Sequence, residues 1–172
     1  MKRLVNDPRI HTLKVMPMST EKIRTLRFNS FMMLDSLMFL PAGLAALVED
    51  LKTQEGVKFN ILDQLNLYSE DELVKKNLLL RKGIFPYEFC KSIDQMRLCT
   101  SLPEQKHFYS KLTNKTVSDE DYAHAQSVWS EFECETLIEY MELYCLTDTA
   151  LLAQVMIQYR ADIMMEFELD CL

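Results

Sequence analysis

The stretch 136–167, TLIEYMELYCLTDTALLAQVMIQYRADIMMEF, constrains this chain more than any other, because it runs without Gly or Pro and is apolar at helical spacing. Leu137, Met141, Tyr144, Leu151, Leu152, Val155 and Tyr159 fall on one stripe, which predicts a long amphipathic helix. Thr136 and Glu139 have the spacing of a capping box at its start. Asp148 lies on the same stripe, one turn after Tyr144 and one turn before Leu151 and Leu152. A carboxylate on a face built for burial is costly unless something pairs with it or uses it. That makes Asp148 the strongest functional pointer in the chain.

Tyr144 and Asp148 form a Tyr-x-x-x-Asp arrangement. Four residues on a helix place phenol and carboxylate on one face, about 6 Å apart in axial rise, so both can enter one cleft. A magnesium or manganese ion takes hard oxygen ligands, and a phenol beside it can orient an attacking water. The spacing alone recurs by chance in most proteins. Its weight here comes from the apolar register of Asp148 and the Leu151-Leu152-Ala153-Gln154-Val155 run that follows.

With 172 residues, 48% of them hydrophobic, and only three Gly and five Pro, the chain is expected to bury one core in one domain. A net charge of −7 argues against holding nucleic acid by bulk charge, so any such binding needs a local site. Five Cys with no Cys-x-x-Cys spacing fit reduced thiols of a nuclear or cytoplasmic protein, and the three His lack zinc-ligand spacing. No run of about 18 apolar residues is present, and MKRLVNDPRI lacks the apolar core of a signal peptide. The expectation is a soluble intracellular protein that is neither secreted nor membrane-bound. The glycosylation pattern at Asn114-Lys115-Thr116 is then a chance match.

In chain order, residues 1–21 read as an irregular entry containing Pro8 and Pro17, with no complete element before Lys22. Residues 22–40 read as two strands around an Asn29-Ser30 turn. Pro41 is expected to open a helix over 41–54, with Leu44, Leu47, Val48 and Leu51 on its apolar face, and Gly56 to break the chain after it. Ser69 and Glu72 form a capping box for a helix reaching about Leu80. Gly83 is expected to end that helix in a left-handed conformation, and Pro86 to delay the next one. Between them, RKGIFPYEF reads either as a packed connector anchored by Phe85, Tyr87 and Phe89 or as a loop presenting Lys82 to a site. Pro103 is expected to open a short helix, and Ser118 to cap one over 118–132 with Tyr122 and Trp129 turned inward. The fold class is α+β, a β-hairpin followed mostly by helices.

The segment EYMELYCLTDTALLAQVMIQYR resembles the third exonuclease motif of family B DNA polymerases, in particular the protein-primed, organellar and viral branch. Three further stretches agree in order. LRFNSFMMLDSLMFLPAGLAALV is similar to the strand and helix after that family's second exonuclease motif, LLLRKGIFPYEF to its RKG-(I/V)-(F/Y)-PYE(Y/F) segment, and LPEQKHFYSKLTNKTVSDEDYAHAQSVWSEF to the lead-in to the third motif. Together they cover most of residues 13–168.

The resemblance implies the distal part of a ribonuclease H-like 3′–5′ exonuclease domain, spanning 1–172. Asp148 would be a metal-binding carboxylate, Tyr144 the residue that positions the hydrolytic water, and Lys82 a lysine assisting the same reaction. Ser36, Leu37 and Leu40 match a Ser/Thr-Leu-x-x-hydrophobic motif that contacts single-stranded DNA. The implied cofactor is Mg2+ or Mn2+, held only weakly by this chain alone; the implied partners are a single-stranded 3′ end and the rest of the polymerase. The family's D-x-E strand and N-x-x-x-(F/Y)-D motif are expected upstream of residue 13, where Asn6-Asp7 lacks the spacing to replace them. Its palm, with D-x-x-S-L-Y-P and D-T-D motifs, is expected beyond residue 172. The chain alone should therefore lack activity. Two other readings remain open: a helical interaction protein derived from a transposon or viral polymerase remnant, and a standalone nuclease using Asp35, Asp148 and other acids.

Overall fold

The computed structural model describes residues 7–19, 23–69 and 71–171, so the expectations placed on Asn6 and Lys22 lie outside the described residues. The fold is α+β. Among the described residues there are three strands in one antiparallel sheet, six α-helices and two short 3-10 turns. The chain divides into two compact units, Met1–Gly43 and Leu44–Leu172.

The first unit carries the sheet. β1 is Leu13–Pro17, β2 Ile23–Phe28 and β3 Phe31–Leu34, in the order β1-β2-β3. β2 and β3 form the expected hairpin around Asn29-Ser30, with Phe28 opposite Phe31 and their rings stacked at 5.5 Å. β1 is a correction to the expected irregular entry. It pairs with β2 from Leu13↔Phe28 to Pro17↔Ile23, with an irregularity between Met16 and Pro17. Pro lacks the ladder donor, which confines it to edge strands or strand ends; here Pro17 sits at the end of an edge strand.

Asn29 holds this arrangement. At φ 49° it takes the left-handed conformation that Asn tolerates in tight hairpins. Its Oδ1 accepts from the backbone N–H of His11 at 2.9 Å and of Thr12 at 3.3 Å, while its Nδ2 donates to the Arg9 carbonyl at 2.8 Å. The residue that makes the turn thus also fastens the segment leading into β1.

The second unit is helical. Its elements are α1 (Leu44–Thr53), α2 (Asn60–Gln64), α3 (Leu73–Leu79), α4 (Ile93–Leu98), α5 (Asp119–Glu131) and α6 (Leu137–Phe167). α6 is the spine: α1, α2 and α4 pack against it, and α3 packs against α5. Val48 and Leu51 of α1, Leu62 of α2, Leu79 of α3 and Leu137 and Leu151 of α6 are almost fully buried. Gln154, buried on α6, accepts from the Ile61 N–H at 3.3 Å and so supplies the cap that Phe59, at the start of α2, cannot.

Several expected helix starts are displaced. α1 begins at Leu44, three residues after Pro41. The helix expected after Pro103 shrinks to a 3-10 turn, Gln105–Phe108. Ser118 caps α5 as expected, its Oγ accepting from the Asp121 N–H at 3.1 Å. At α6, Glu139 accepts at 2.8 Å from the N–H of Glu135, the residue before the cap, and Thr136 Oγ1 caps nothing, so neither half of that box forms. At Ser69 the reciprocal half does form, its N–H donating to Glu72 Oε2 at 2.7 Å; the helix proper starts one residue after Glu72. α4 was not expected, although Ser92 and Gln95 carry the signature: Ser92 Oγ accepts from the Gln95 N–H at 3.2 Å, and Gln95 Oε1 from the Lys91 N–H at 2.9 Å.

Candidate functional site

The inner face of α6 is rotated from the expected stripe. Leu137, Tyr140, Leu143, Thr147, Ala150, Leu151, Gln154 and Val155 are buried, while Tyr144 and Asp148 are half-buried on the flank. There they meet the 80–90 connector. Gly83 does not have the left-handed φ expected of it; Gly56 does, at φ 80°. α3 ends at Leu80 instead, and Gly83 serves a close approach: a Cβ at this position would lie 3.0 Å from Tyr144 Cδ2.

Aromatic rings fix the Tyr144 side chain. Phe85, buried in the connector, stacks on Tyr144 with centroids 5.6 Å apart and on Tyr140 at 6.3 Å. Tyr140 donates its hydroxyl to the Ile84 carbonyl at 2.9 Å, which pins the connector to α6. The exposed Tyr87 shares a 2.8 Å hydroxyl–hydroxyl hydrogen bond with Tyr144. Phe85 and Tyr87 thus belong to the site and are more than packing anchors. The signal was the density of aromatic residues in RKGIFPYEF, but the sequence did not show which ring would face α6.

Burial raises the Asp148 carboxyl above its ordinary range, while the Tyr144 hydroxyl, the Lys82 charge and the Gly83 N–H pull it back. Its Oδ1 is buried and meets no hydrogen-bond partner. Tyr144 is also raised, first by burial and then by its hydrogen bonds to Tyr87 and Asp148, so its hydroxyl stays protonated at neutral pH. The arrangement is therefore a neutral phenol donor, a carboxylate with one unused oxygen, and an exposed ammonium within electrostatic reach. The connector that carries Lys82 folds onto Tyr144 at Gly83, although the connector and α6 are about sixty residues apart in sequence.

Ser36, Leu37 and Leu40 belong to the other unit. Ser36 and Leu37 lie in the 3-10 turn Ser36–Met38, and the Ser36 carbonyl accepts from Phe39 and Leu40, each at 3.0 Å. Asp35 caps that turn by accepting from the Leu37 N–H at 3.1 Å, which occupies one oxygen in a structural role.

No group of three or more His, Cys, Asp or Glu among the described residues could hold a metal ion. Two-metal hydrolysis needs several oxygen ligands holding ions about 4 Å apart. Asp148 alone does not fit such a centre.

Behind Tyr144 lies a small cavity, about 20 Å3, lined by Arg81, His124, Tyr140 and Thr147 among others, with room for a single water. Thr147 Oγ1 is buried there without a partner. Arg81 is held by Asp121 at 2.5 Å, and its charge adds to burial in pushing His124 down to about 4 from 6.5. Between those values the unfolded chain binds the extra proton, so stability falls as pH falls from 6.5 toward 4. His124→Gln should flatten that part of a urea-midpoint profile; a slope unchanged by the substitution would refute this origin.

Asp148 shifts in the opposite sense. A raised carboxyl in the folded state makes that state bind more protons, so its contribution to stability improves as pH falls through its titration. Asp148→Asn should therefore raise stability at pH 7, by roughly 1 kcal/mol for relief of a partly buried, half-satisfied charge. Equilibrium unfolding tests this, and a loss of stability would show that the carboxylate is well paired.

Comparison of the chain with protein-family models, curated proteins and solved structures found no match. Among the described residues, no helix is long and apolar enough to cross a membrane.

Proposed function

We propose that this chain is the distal part of a ribonuclease H-like 3′–5′ exonuclease domain from a protein-primed family B DNA polymerase. The observation that carries the reading is the fold of the RKG segment onto the Tyr144–Asp148 pair of α6: a Cβ on Gly83, the residue after Lys82, would lie 3.0 Å from Tyr144 Cδ2, and the Lys82 charge acts on Asp148. Lys82, Tyr144 and Asp148 are the three residues the family resemblance singles out for the reaction. Tyr144, neutral and held by Phe85 and Tyr87, is suited to position a water without losing its proton. Lys82 is exposed and free to meet a phosphate. Asp148 offers an unpartnered oxygen, and the remaining ligands for Mg2+ or Mn2+ come from outside this chain.

The test is incubation of the 172-residue chain with a 5′-labelled single-stranded oligonucleotide or a primed template, with Mg2+ or Mn2+. The expected result is neither primer extension nor 3′ excision. Metal-dependent excision that survives Asp148→Ala would overturn the site. Excision abolished by Asp148→Ala would keep the site and overturn the division of its ligands. A second reading, a helical interaction protein derived from such a polymerase, draws support from the apolar residues exposed near the end of α6: Ile157, Met164, Met165 and Phe167.

A further inference from the structure

The cavity behind Tyr144 is where three parts of the helical unit meet. Arg81 reaches it from the connector, His124 from α5 and Thr147 from α6, between apolar side chains such as Leu79, Val128 and Leu143. Thr147 is only 4% exposed, and its Oγ1 meets no hydrogen-bond partner. A threonine within a helix can turn its hydroxyl back to the carbonyl four residues earlier, as Thr149 does to Cys145 at 2.7 Å on the same helix. Thr147 does not, which leaves its hydroxyl to the cavity. A buried hydroxyl left unpaired carries its full desolvation penalty.

Two further groups on the same wall have hydrogen-bonding capacity to spare. The half-buried His124 ring makes no hydrogen bond among the described residues. Burial and the Arg81 charge keep that ring neutral at pH 7, so one nitrogen donates and the other accepts. Arg81 has five N–H donors; Asp121 takes one at 2.5 Å, and Glu120, at 3.7 Å, lies beyond hydrogen-bonding reach. The space among these groups is about 20 Å3. That exceeds the roughly 10–15 Å3 one water needs, and about three polar partners is the usual number for a buried water.

We propose that this cavity binds one ordered water, bridging Thr147 Oγ1, the His124 ring and the Arg81 guanidinium, and that the water fastens the connector to α5 and α6 behind Tyr144. An anion is disfavoured because the carboxylates of Asp121 and Glu120 already face Arg81. An apolar ligand is disfavoured because it would leave the Thr147 hydroxyl unpaired. The site does not depend on the exonuclease reading; it concerns what holds the connector in place.

The experiment is water–protein Overhauser spectroscopy of the 172-residue chain, read together with urea unfolding. Cross-peaks at the water frequency are expected to the Thr147 methyl and the His124 ring, with the opposite signs in laboratory and rotating frames that mark a long-held water. Thr147→Val keeps the side-chain shape and nearly the same helix propensity while removing the hydroxyl. It should lower the folding equilibrium constant about tenfold. A dry cavity predicts the reverse, because the same change would then remove an unpaired polar group. Thr147→Val combined with His124→Phe should cost less than the product of the two separate fold-losses, since both act on one water. Xenon under pressure should leave the methyl shifts of Leu79, Val128 and Leu143 unmoved, because a cavity that holds water does not admit it. The proposal is overturned by stabilisation in Thr147→Val, by strictly multiplicative losses in the double variant, or by xenon-induced shifts at those methyls. It is equally overturned by an unfolding midpoint that rises with chloride at constant ionic strength, which would give the cavity to an anion.

Discussion

Leu151→Ala lowers the stability of the Leu44–Leu172 unit by about 3 kcal/mol, the middle of the range for a buried Leu whose cavity collapses only in part. Leu151 is fully buried on α6, the helix that α1, α2 and α4 all pack against. A domain of this size has about 5–15 kcal/mol in total, so the change consumes a large share of it. In urea the midpoint should fall with little change in slope, since the surface exposed on unfolding is nearly the same. Leu146, on the same helix but 45% exposed, is the control: Leu146→Ala should shift stability by no more than about 0.5 kcal/mol. A Leu151→Ala cost no larger than that of Leu146→Ala would mean that α6 is not the spine of the unit.

The second large effect is expected at Gly83. Its φ lies outside the left-handed region, so a side chain is not excluded by backbone conformation. Space excludes it: an added Cβ lies 3.0 Å from a ring atom of Tyr144. Tyr144 cannot simply swing away, because Phe85 stacks on its ring and Tyr87 holds its hydroxyl. Gly83→Val should cost about 2 kcal/mol as an overpacked contact. In a Tyr144→Ala background the same substitution should cost much less, giving a coupling energy of about 1 kcal/mol or more. Additive effects of the two changes would show that Gly83 and Tyr144 do not constrain each other. The same contact bears on the candidate site directly, since Lys82 is the residue before Gly83.

These two positions also show what was legible in the sequence. The length of α6, the Asn29-Ser30 turn and the Ser118 cap were all readable, because each is decided by local chemistry. The rotation of α6 was not. Apolar residues surround that helix along much of its length, and its inner face includes Thr147, Ala150 and Gln154, so apolar identity alone gave the wrong phase. β1 was missed because LKVMP ends in Pro and is brief; its strand character depends on pairing with β2 and on the side chain of Asn29. The Tyr144–Asp148 spacing was readable at sight, whereas the roles of Gly83, Phe85 and Tyr87 arise only when the connector folds onto α6. Asp148 accordingly changes from an acid in the middle of an apolar stripe to a half-buried carboxylate at its edge, with one oxygen unused.

The central claim is that the Tyr144–Asp148 pair is one part of an exonuclease site whose other ligands lie outside residues 1–172. Full-length sequencing of the transcript that encodes this chain tests it most directly. The account predicts a D-x-E strand and an N-x-x-x-(F/Y)-D motif in frame ahead of residue 1, and a palm with a D-T-D motif in frame after residue 172. A transcript with in-frame stop codons on both sides and neither set of motifs would contradict it.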